Sequence, residues 1–264
     1  MAQAMYEKEI QKYMTLLRHE FTRRVYVSTI RRFLEEEACQ ISRAAVERFL
    51  ARQAEKYGRE SVRRMLAALK GFFDFLVLEG KLERNPARNI RIAKIEDEIE
   101  HYLSIEEMEK LITYYRGKDP IQVRNRAILE LMYATGALPE DICRMRLHHA
   151  LLARQGWVRM CARGRTERPL PIGRYAAAWL AAWLKLRPPA DTDALFINYQ
   201  GGPLSRVSVW EIVRRAAAAV GLENVNPRTI RNSFIMHMRD CDKRVLQYML
   251  GTRKIGPIKR RASI

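Results

Sequence analysis

The sequence predicts a mainly α-helical protein that carries one small antiparallel β-sheet and is divided into two domains. Apolar residues recur at helical spacing along most of the 264 residues, and only one pair of short segments has the composition of β-strands. A domain spans about 100 to 200 residues, so the chain has room for two modest ones. We predict a helical domain over residues 1–90, a linker over 91–101 and a second domain over 102–264.

The linker is predicted from proline and charge. The residue before a proline disfavours helix, so Asn85-Pro86 marks the start of a non-helical stretch. The acidic run from Glu96 to Glu100 then interrupts a chain that is basic on both sides. Because such a run cannot join an apolar core, we expect it to connect the two domains.

Four apolar stripes at helical spacing predict four helices in the first domain. The stripes run over Ile10–Leu17, Val27–Leu34, Val46–Ala54 and Val62–Val77. Ser42 and Gly58 are suited to begin and end the third helix, and Gly80 follows the fourth. The aromatic run Phe72-Phe73-Asp74-Phe75 lies on the fourth stripe, so these rings are predicted to pack in the core rather than to stack on bases.

The second domain begins with a capping box, Ser104-Ile105-Glu106-Glu107, which predicts a helix start. Another helix is predicted over Val123–Ala134. A β-hairpin is predicted over residues 156–161 and 167–172, around the basic turn Arg163-Gly164-Arg165. Three further helices are predicted, over Tyr175–Leu186, Ser205–Val220 and Pro227–Asp240.

The composition points to a polyanionic partner. Lysine and arginine outnumber aspartate and glutamate by 48 to 30, for a formal charge of +18, as expected of a protein that binds nucleic acid. The most apolar stretch, Tyr175–Leu186, is too short to cross a bilayer, so no membrane partner is expected. Residues 1–20 lack the apolar core of a signal peptide. We therefore expect a cytoplasmic, nucleoid-associated protein.

No metal or cofactor is predicted. The four cysteines lie far apart in the sequence, so they suggest neither a zinc site nor a disulfide framework. His148 and His149 lie near Cys143, but their spacing matches no usual ligand pattern. His237 is expected to be a hydrogen-bonded core histidine.

A series of motifs in the second domain resembles the phage integrase and Xer-type tyrosine recombinase family. In order, they are Tyr133-Ala134-Thr135-Gly136, the hairpin turn Arg163–Arg168, Leu195–Asn198, Gly202–Ser205, Asn226–Phe234 and Leu250-Gly251-Thr252. Each motif is weak alone, but their order and spacing match together. The resemblance implies a helical core-binding (SAM-like) first domain and a catalytic-type second domain, which together form a clamp around duplex DNA.

Active members of this family surround the scissile phosphate with six side chains. The first is an arginine two residues after the Thr-Gly pair, and the matching position here is Leu138, which cannot donate to phosphate. The second is a lysine that acts as general acid in the hairpin turn, and Arg163 takes its place. A guanidinium binds phosphate but releases a proton poorly, because its pKa exceeds about 12.

The remaining four positions lie toward the end of the sequence. The family's His-x-x-Arg pair corresponds to Arg228 and Arg231, which a spacing of three places on one helical face. The histidine after Leu-Gly corresponds to Thr252, and the nucleophilic tyrosine corresponds to Arg261. Residues 251–264 contain no tyrosine. Tyr248, the nearest tyrosine, is predicted to be a core residue.

These changes predict a degenerate, catalytically inactive member of the family that is not an enzyme. We expect it to bind duplex DNA site-specifically, as an accessory or regulatory factor linked to recombination or a mobile element. Its partner would be an active tyrosine recombinase, or a second copy on paired half-sites. The predicted phosphate contacts are Arg163, Arg165, Arg168, Arg206, Arg228, Arg231 and Arg261.

Two alternatives remain open on the sequence. One is an active strand-cleaving enzyme that uses an unrecognised nucleophile near Arg231. The other is an assembly subunit that contacts an active recombinase without binding DNA.

Overall fold

The computed structural model describes residues 6–18, 20–93, 101–161 and 167–252. Within it the chain divides into two compact units, Met1–Glu96 and Asp97–Ile264, here called the first and second units. The acidic run 96–100 and the predicted phosphate contacts Arg163, Arg165 and Arg261 lie outside the described residues.

The first unit contains the four predicted helices, packed around one apolar core. They are α1 (Glu7–Leu16), α2 (Glu20–Glu36), α3 (Arg43–Lys56) and α4 (Arg59–Leu78). Phe72 and Phe73 are fully buried, and both make ring contacts within the core. The prediction that this aromatic run packs inside rather than against bases is therefore confirmed.

The ends of these helices only partly follow the prediction. The Ser42 hydroxyl accepts a hydrogen bond from the Ala45 amide at 3.2 Å, so Ser42 caps α3 as expected. Gly58 does not end α3, because Tyr57 occupies that cap. Gly58 has φ −60° and is instead the N-cap of α4, where no left-handed conformation is required. After α4, the chain continues in the first core through the buried Ala87 and Ile90.

In the described part of the second unit, the regular secondary structure is helical apart from one hairpin. Its helices are α5 (Ile105–Thr113), α6 (Pro120–Thr135), α7 (Pro139–Arg144), α8 (Arg174–Leu186), α9 (Arg206–Ala219), α10 (Pro227–His237) and α11 (Lys243–Leu250), with 3₁₀ helices at Leu147–Ala150 and Ala153–Gln155. Strands β1 (Trp157–Cys161) and β2 (Glu167–Pro171) pair antiparallel, in a register that sets Trp157 opposite Pro171. The mainly helical fold with a two-stranded sheet is confirmed.

Helices α7 and α11 are not among the predicted helices, and two other details of the second unit differ from the sequence prediction. Helix α10 ends at His237 rather than Asp240, and the chain turns before α11 begins. Tyr248 lies on α11 and is half exposed, so its prediction as a core residue is wrong. The core-facing positions of this helix are Leu246, Met249 and Leu250, which leaves Tyr248 on the outer side.

Helix α6 crosses the centre of the second unit and is buried on nearly every side. It therefore carries charged groups into the interior, where they require partners. Arg126 pairs with Glu130 at 2.9 Å, donates to the Ile112 carbonyl and stacks on the ring of Trp179. Burial raises the pKa of Glu130, while the guanidinium of Arg126 lowers it in part.

Among the described helices, none combines the length and the apolarity needed to cross a membrane.

Candidate nucleic-acid interface

Helix α10 sets the geometry of the predicted site, and its start is encoded locally. The Asn226 side chain accepts hydrogen bonds from the amides of Arg228 and Thr229 at 2.8 and 3.3 Å. Pro227 occupies the first helical position, where its missing amide hydrogen costs nothing. This cap fixes Arg228 in the first turn and Arg231 one turn later, on the same face.

Arg231 is held by two backbone carbonyls. One terminal nitrogen donates to the Gly136 carbonyl at 2.8 Å, and the other donates to the Leu250 carbonyl at 3.1 Å. Burial is the main cause that lowers the pKa of Arg231, with further lowering by Arg168 and Arg228 and an opposing contribution from Asp141. A guanidinium stays protonated under such conditions. Arg231 is thus a fixed positive charge with other arginines close by.

The glycine of the Thr135-Gly136 motif is required by the backbone beside Arg231. Gly136 caps α6 with φ +64°, a left-handed conformation that favours glycine. A Cβ atom there would lie 2.7 Å from both Leu250 Cδ2 and Phe234 Cδ1. Glycine therefore lets the end of α6 approach α10 and α11 closely enough for Arg231 to reach both carbonyls.

The other side of α10 binds the segment 101–103, where the described part of the second unit begins. The Leu103 amide donates to the Ser233 hydroxyl at 2.9 Å, and the Asn232 amide group donates to the His101 carbonyl at 3.3 Å. Ser233 and Asn232 are both buried. We call this contact the entry clasp. The entry clasp holds α10 through Asn232 and Ser233, while the contacts of Arg231 hold it against the ends of α6 and α11.

His237 extends the entry clasp to α6. Its Nδ1 atom lies 2.8 Å from the Tyr133 hydroxyl, and its ring packs edge-on against the tyrosine ring. Burial lowers the pKa of His237, and a hydrogen bond with the Leu103 backbone opposes this. The predicted hydrogen bond of His237 is present, but the side chain is only half buried, so the prediction that it lies in the core is wrong.

Arg168 also reaches the end of α11. Its guanidinium donates to the Met249 carbonyl at 2.9 Å, and the Tyr248 hydroxyl donates back to the Pro169 carbonyl at 3.3 Å. The next carbonyl, that of Leu250, is bound by Arg231. Strand β2 and helix α10 thus meet at the end of α11, immediately before Thr252.

Leu138 and Arg206 share a surface groove of about 540 Å³ that is also lined by Val207 and Trp210. The groove lies between α7 and α9. Arg214 lies over the indole ring of Trp210, with its guanidinium carbon 4.8 Å from the ring centroid. Arg206 is exposed at the start of α9. Its contact with DNA stays a prediction.

Two histidines and a carboxylate meet beside the hairpin. His149 Nδ1 accepts a hydrogen bond from the Arg146 amide at 2.9 Å, so its Nε2 carries the proton and donates to Glu167 at 2.9 Å. His148 Nε2 lies 3.6 Å from the same carboxylate oxygen. The bond to His149 is the main cause that lowers the pKa of Glu167. A metal on His149 Nε2 would have to displace that proton, so this tautomer favours a hydrogen-bonded pair.

Sequence reasoning thus found Arg228, Arg231 and Thr252, which the structure places on α10 and at the end of α11. It missed the partners that hold them, namely the carbonyls of Gly136, Met249 and Leu250. It also missed the buried polar pair Asn232 and Ser233. Two adjacent polar residues inside the apolar pattern of α10 were the available signal for them.

Family models match both units. The phage integrase family model matches residues 101–260, and the phage integrase N-terminal SAM-like domain model matches residues 18–80. The chain therefore belongs to the phage integrase family, the family of tyrosine recombinases.

Individual relatives agree. The chain is 36% identical over 200 residues to the tyrosine recombinase XerD of Chlorobaculum tepidum, and 35% identical over 191 residues to the tyrosine recombinase XerC of Escherichia coli. Each match covers 70% of this chain, and 64% and 63% of the relative. The chain thus spans slightly under two thirds of the length of these relatives.

Solved structures share the fold. The XerH site-specific recombinase bound to palindromic difH substrate matches with a TM-score of 0.75 and 19% identity, over 88% of this chain and 73% of that chain. A lambda integrase dimer bound to a COC′ core site matches with a TM-score of 0.74 and 16% identity, over 94% of this chain and 95% of that chain.

These comparisons correct one prediction. From the residues at the six family positions we expected a pseudoenzyme, yet the relatives that match 70% of the chain are named as recombinases, which are enzymes. The expectation that the chain is not an enzyme is therefore wrong. The position assigned to the nucleophile, Arg261, lies outside the described residues.

Proposed function

We propose that this chain binds duplex DNA at a specific site and takes part in DNA recombination there. The tyrosine recombinases it resembles are named for that activity, and two of the similar solved structures are recombinases bound to DNA. The family membership of both units supports the same function.

The observation that carries the proposal is the placement of Arg231. Its guanidinium is charged, oriented by two carbonyls and close to the charge of Arg228. Bringing like charges together is unfavourable unless an anion neutralises them. A DNA phosphate supplies that anion and accepts bidentate hydrogen bonds from a guanidinium.

The charge of the whole chain supports a duplex rather than a small phosphate compound. A formal charge of +18 far exceeds what a single phosphate group requires. Exposed arginines such as Arg206 and Arg214 extend the positive surface along α9. Phosphate contacts of this kind supply affinity that falls steeply with salt.

We further propose that the chain acts with a partner of its own family on paired half-sites. The partner is either a second copy or another tyrosine recombinase. The similar solved structures include a lambda integrase dimer on a core site and a XerH complex on a palindromic substrate. Two protein copies on two half-sites would require an inverted repeat in the target.

The test is recovery of genomic DNA fragments by the purified chain at physiological salt, followed by motif analysis. The expected result is one enriched motif with inverted half-sites. Arg231→Met should weaken binding. It should also make the negative slope of log affinity against log salt shallower by about 0.9, since one phosphate contact is lost. Arg239→Met, in an exposed turn after α10, is the matched control for charge. Uniform recovery would refute site specificity, and no recovery would favour the assembly subunit.

Recombination is tested separately, on the recovered motif. Two copies of the motif are placed in a plasmid, and strand transfer is measured with the chain alone and with a family partner. Trapping on a nicked substrate, followed by peptide mapping of any covalent adduct, identifies the nucleophile. Binding without strand transfer under either condition would refute the recombination part of the proposal and leave DNA binding intact.

A further inference from the structure

We propose that Arg168 is a positioning residue that holds the end of α11 beside Arg231, and that it is not a phosphate contact. The proposal refines the site of the proposed function, and it reassigns a side chain that sequence reasoning placed on the DNA. Its basis is the placement of the whole guanidinium. One terminal nitrogen donates to the Met249 carbonyl at 2.9 Å, the other lies 3.5 Å from the Met160 carbonyl, and Nε is buried.

The last four carbonyls of a helix have no partner within the helix, and in α11 all four are satisfied. Gly251 adopts the left-handed conformation, and its amide donates to the carbonyls of Gln247 and Tyr248. The Thr252 amide adds a second bond to Gln247 at 3.1 Å. The remaining two carbonyls, of Met249 and Leu250, are bound by Arg168 and Arg231.

Helix α11 depends on these contacts because it is short. Eight residues form about two turns, which are not stable in water without tertiary contacts. The Tyr248 hydroxyl binds the Pro169 carbonyl while Arg168 binds Met249, so β2 and α11 are tied in both directions. A positive side chain at the end of a helix also interacts favourably with the helix dipole.

The position of α11 affects Arg231 through the carbonyl of Leu250. One of the two carbonyls that orient Arg231 belongs to the last residue of α11. If α11 is displaced, that acceptor is displaced with it, and the guanidinium loses one of its two fixed points. Arg168 therefore acts on the phosphate-binding group through α11, without touching DNA.

The matched variants are Arg168→Met, Arg168→Lys and the control Arg159→Met. Arg159 is exposed on the neighbouring strand, so its replacement removes the same charge from the same hairpin. In the protein without DNA, Arg168→Met should speed hydrogen exchange of the α11 amides about tenfold. Arg168→Lys should restore most of the protection, because lysine can still donate to the Met249 carbonyl. Arg159→Met should leave α11 unchanged.

The second readout is the affinity for duplex DNA as a function of salt. If Arg168 is a positioning residue, Arg168→Met should lose affinity for DNA several-fold with an unchanged salt slope, and Arg168→Lys should recover that affinity. A phosphate contact predicts a slope smaller by about 0.9 with unchanged exchange in α11. Either a reduced slope or unchanged exchange in Arg168→Met overturns the proposal. If the wild-type chain does not bind DNA, the proposed function fails, while the exchange experiment still tests the role of Arg168.

Discussion

Replacing Gly136 with alanine should destabilise the second unit by about 2–4 kcal/mol. The left-handed conformation at φ +64° costs a non-glycine residue about 1 kcal/mol. The new Cβ atom would also lie 2.7 Å from atoms of Leu250 and Phe234, both of which are buried. Overpacking of this kind costs about 1–3 kcal/mol, because neighbouring side chains must move.

A matched control separates the two contributions. Gly221 lies in the same unit at φ +73°, and a Cβ atom there meets nothing within 4 Å. Gly221→Ala should therefore show only the conformational cost of about 1 kcal/mol.

Urea unfolding followed by tryptophan fluorescence is the assay. The four tryptophans of the sequence, at positions 157, 179, 183 and 210, all belong to the second unit, so the signal reports that unit alone. Equal losses in Gly136→Ala and Gly221→Ala would refute the close-packing argument. A loss in Gly136→Ala alone would refute the conformational one.

Three further predictions use the same assay. Arg126→Met should cost about 3–5 kcal/mol, since it leaves Glu130 buried without its ion partner, and the double variant Arg126→Met/Glu130→Met should recover most of it. The folded-state pKa of His237 lies below its ordinary 6.5, so its contribution to stability should be fully present above pH 6.5 and decline as the pH falls through the folded value. His237→Gln should remove that part of the pH dependence, and an unaltered profile would contradict it. Ser233→Ala should cost about 1–3 kcal/mol, because the buried Leu103 amide loses its acceptor, and no loss would refute the entry clasp.

Most of the helices that the sequence predicts well have an apolar period that repeats over about three or more turns, whereas the nine-residue α5 is predicted from its capping box. Helix α4 has eight buried residues in twenty, which makes its period unambiguous. Helices α7 and α11 have six and eight residues, so the period has too few repeats to identify them. Gly58 was assigned to the wrong helix because glycine is common both after one helix and before the next.

The sequence predicted which residues form the site better than it predicted the contacts that hold them. The motif around Arg228 and Arg231 was visible because spacing on a helix determines which residues share a face. The orientation of Arg168 was not visible, because its acceptor is a backbone carbonyl 81 residues away, and carbonyls carry no sequence signal. The same holds for Arg231 and Gly136, which are separated by 95 residues.

The entry clasp has a consequence for the order in which the two units can form during synthesis. Leu103 hydrogen-bonds with Ser233, 130 residues later in the chain. At about 5–20 residues per second, the ribosome needs roughly 6.5–26 s to add that partner after it has added Leu103. The core contacts of the first unit lie between Tyr6 and Ile92, so that unit can complete its core while α10 does not yet exist. The second unit cannot complete the entry clasp until α10 has been made, so its first segment lacks that hydrogen bond throughout this interval.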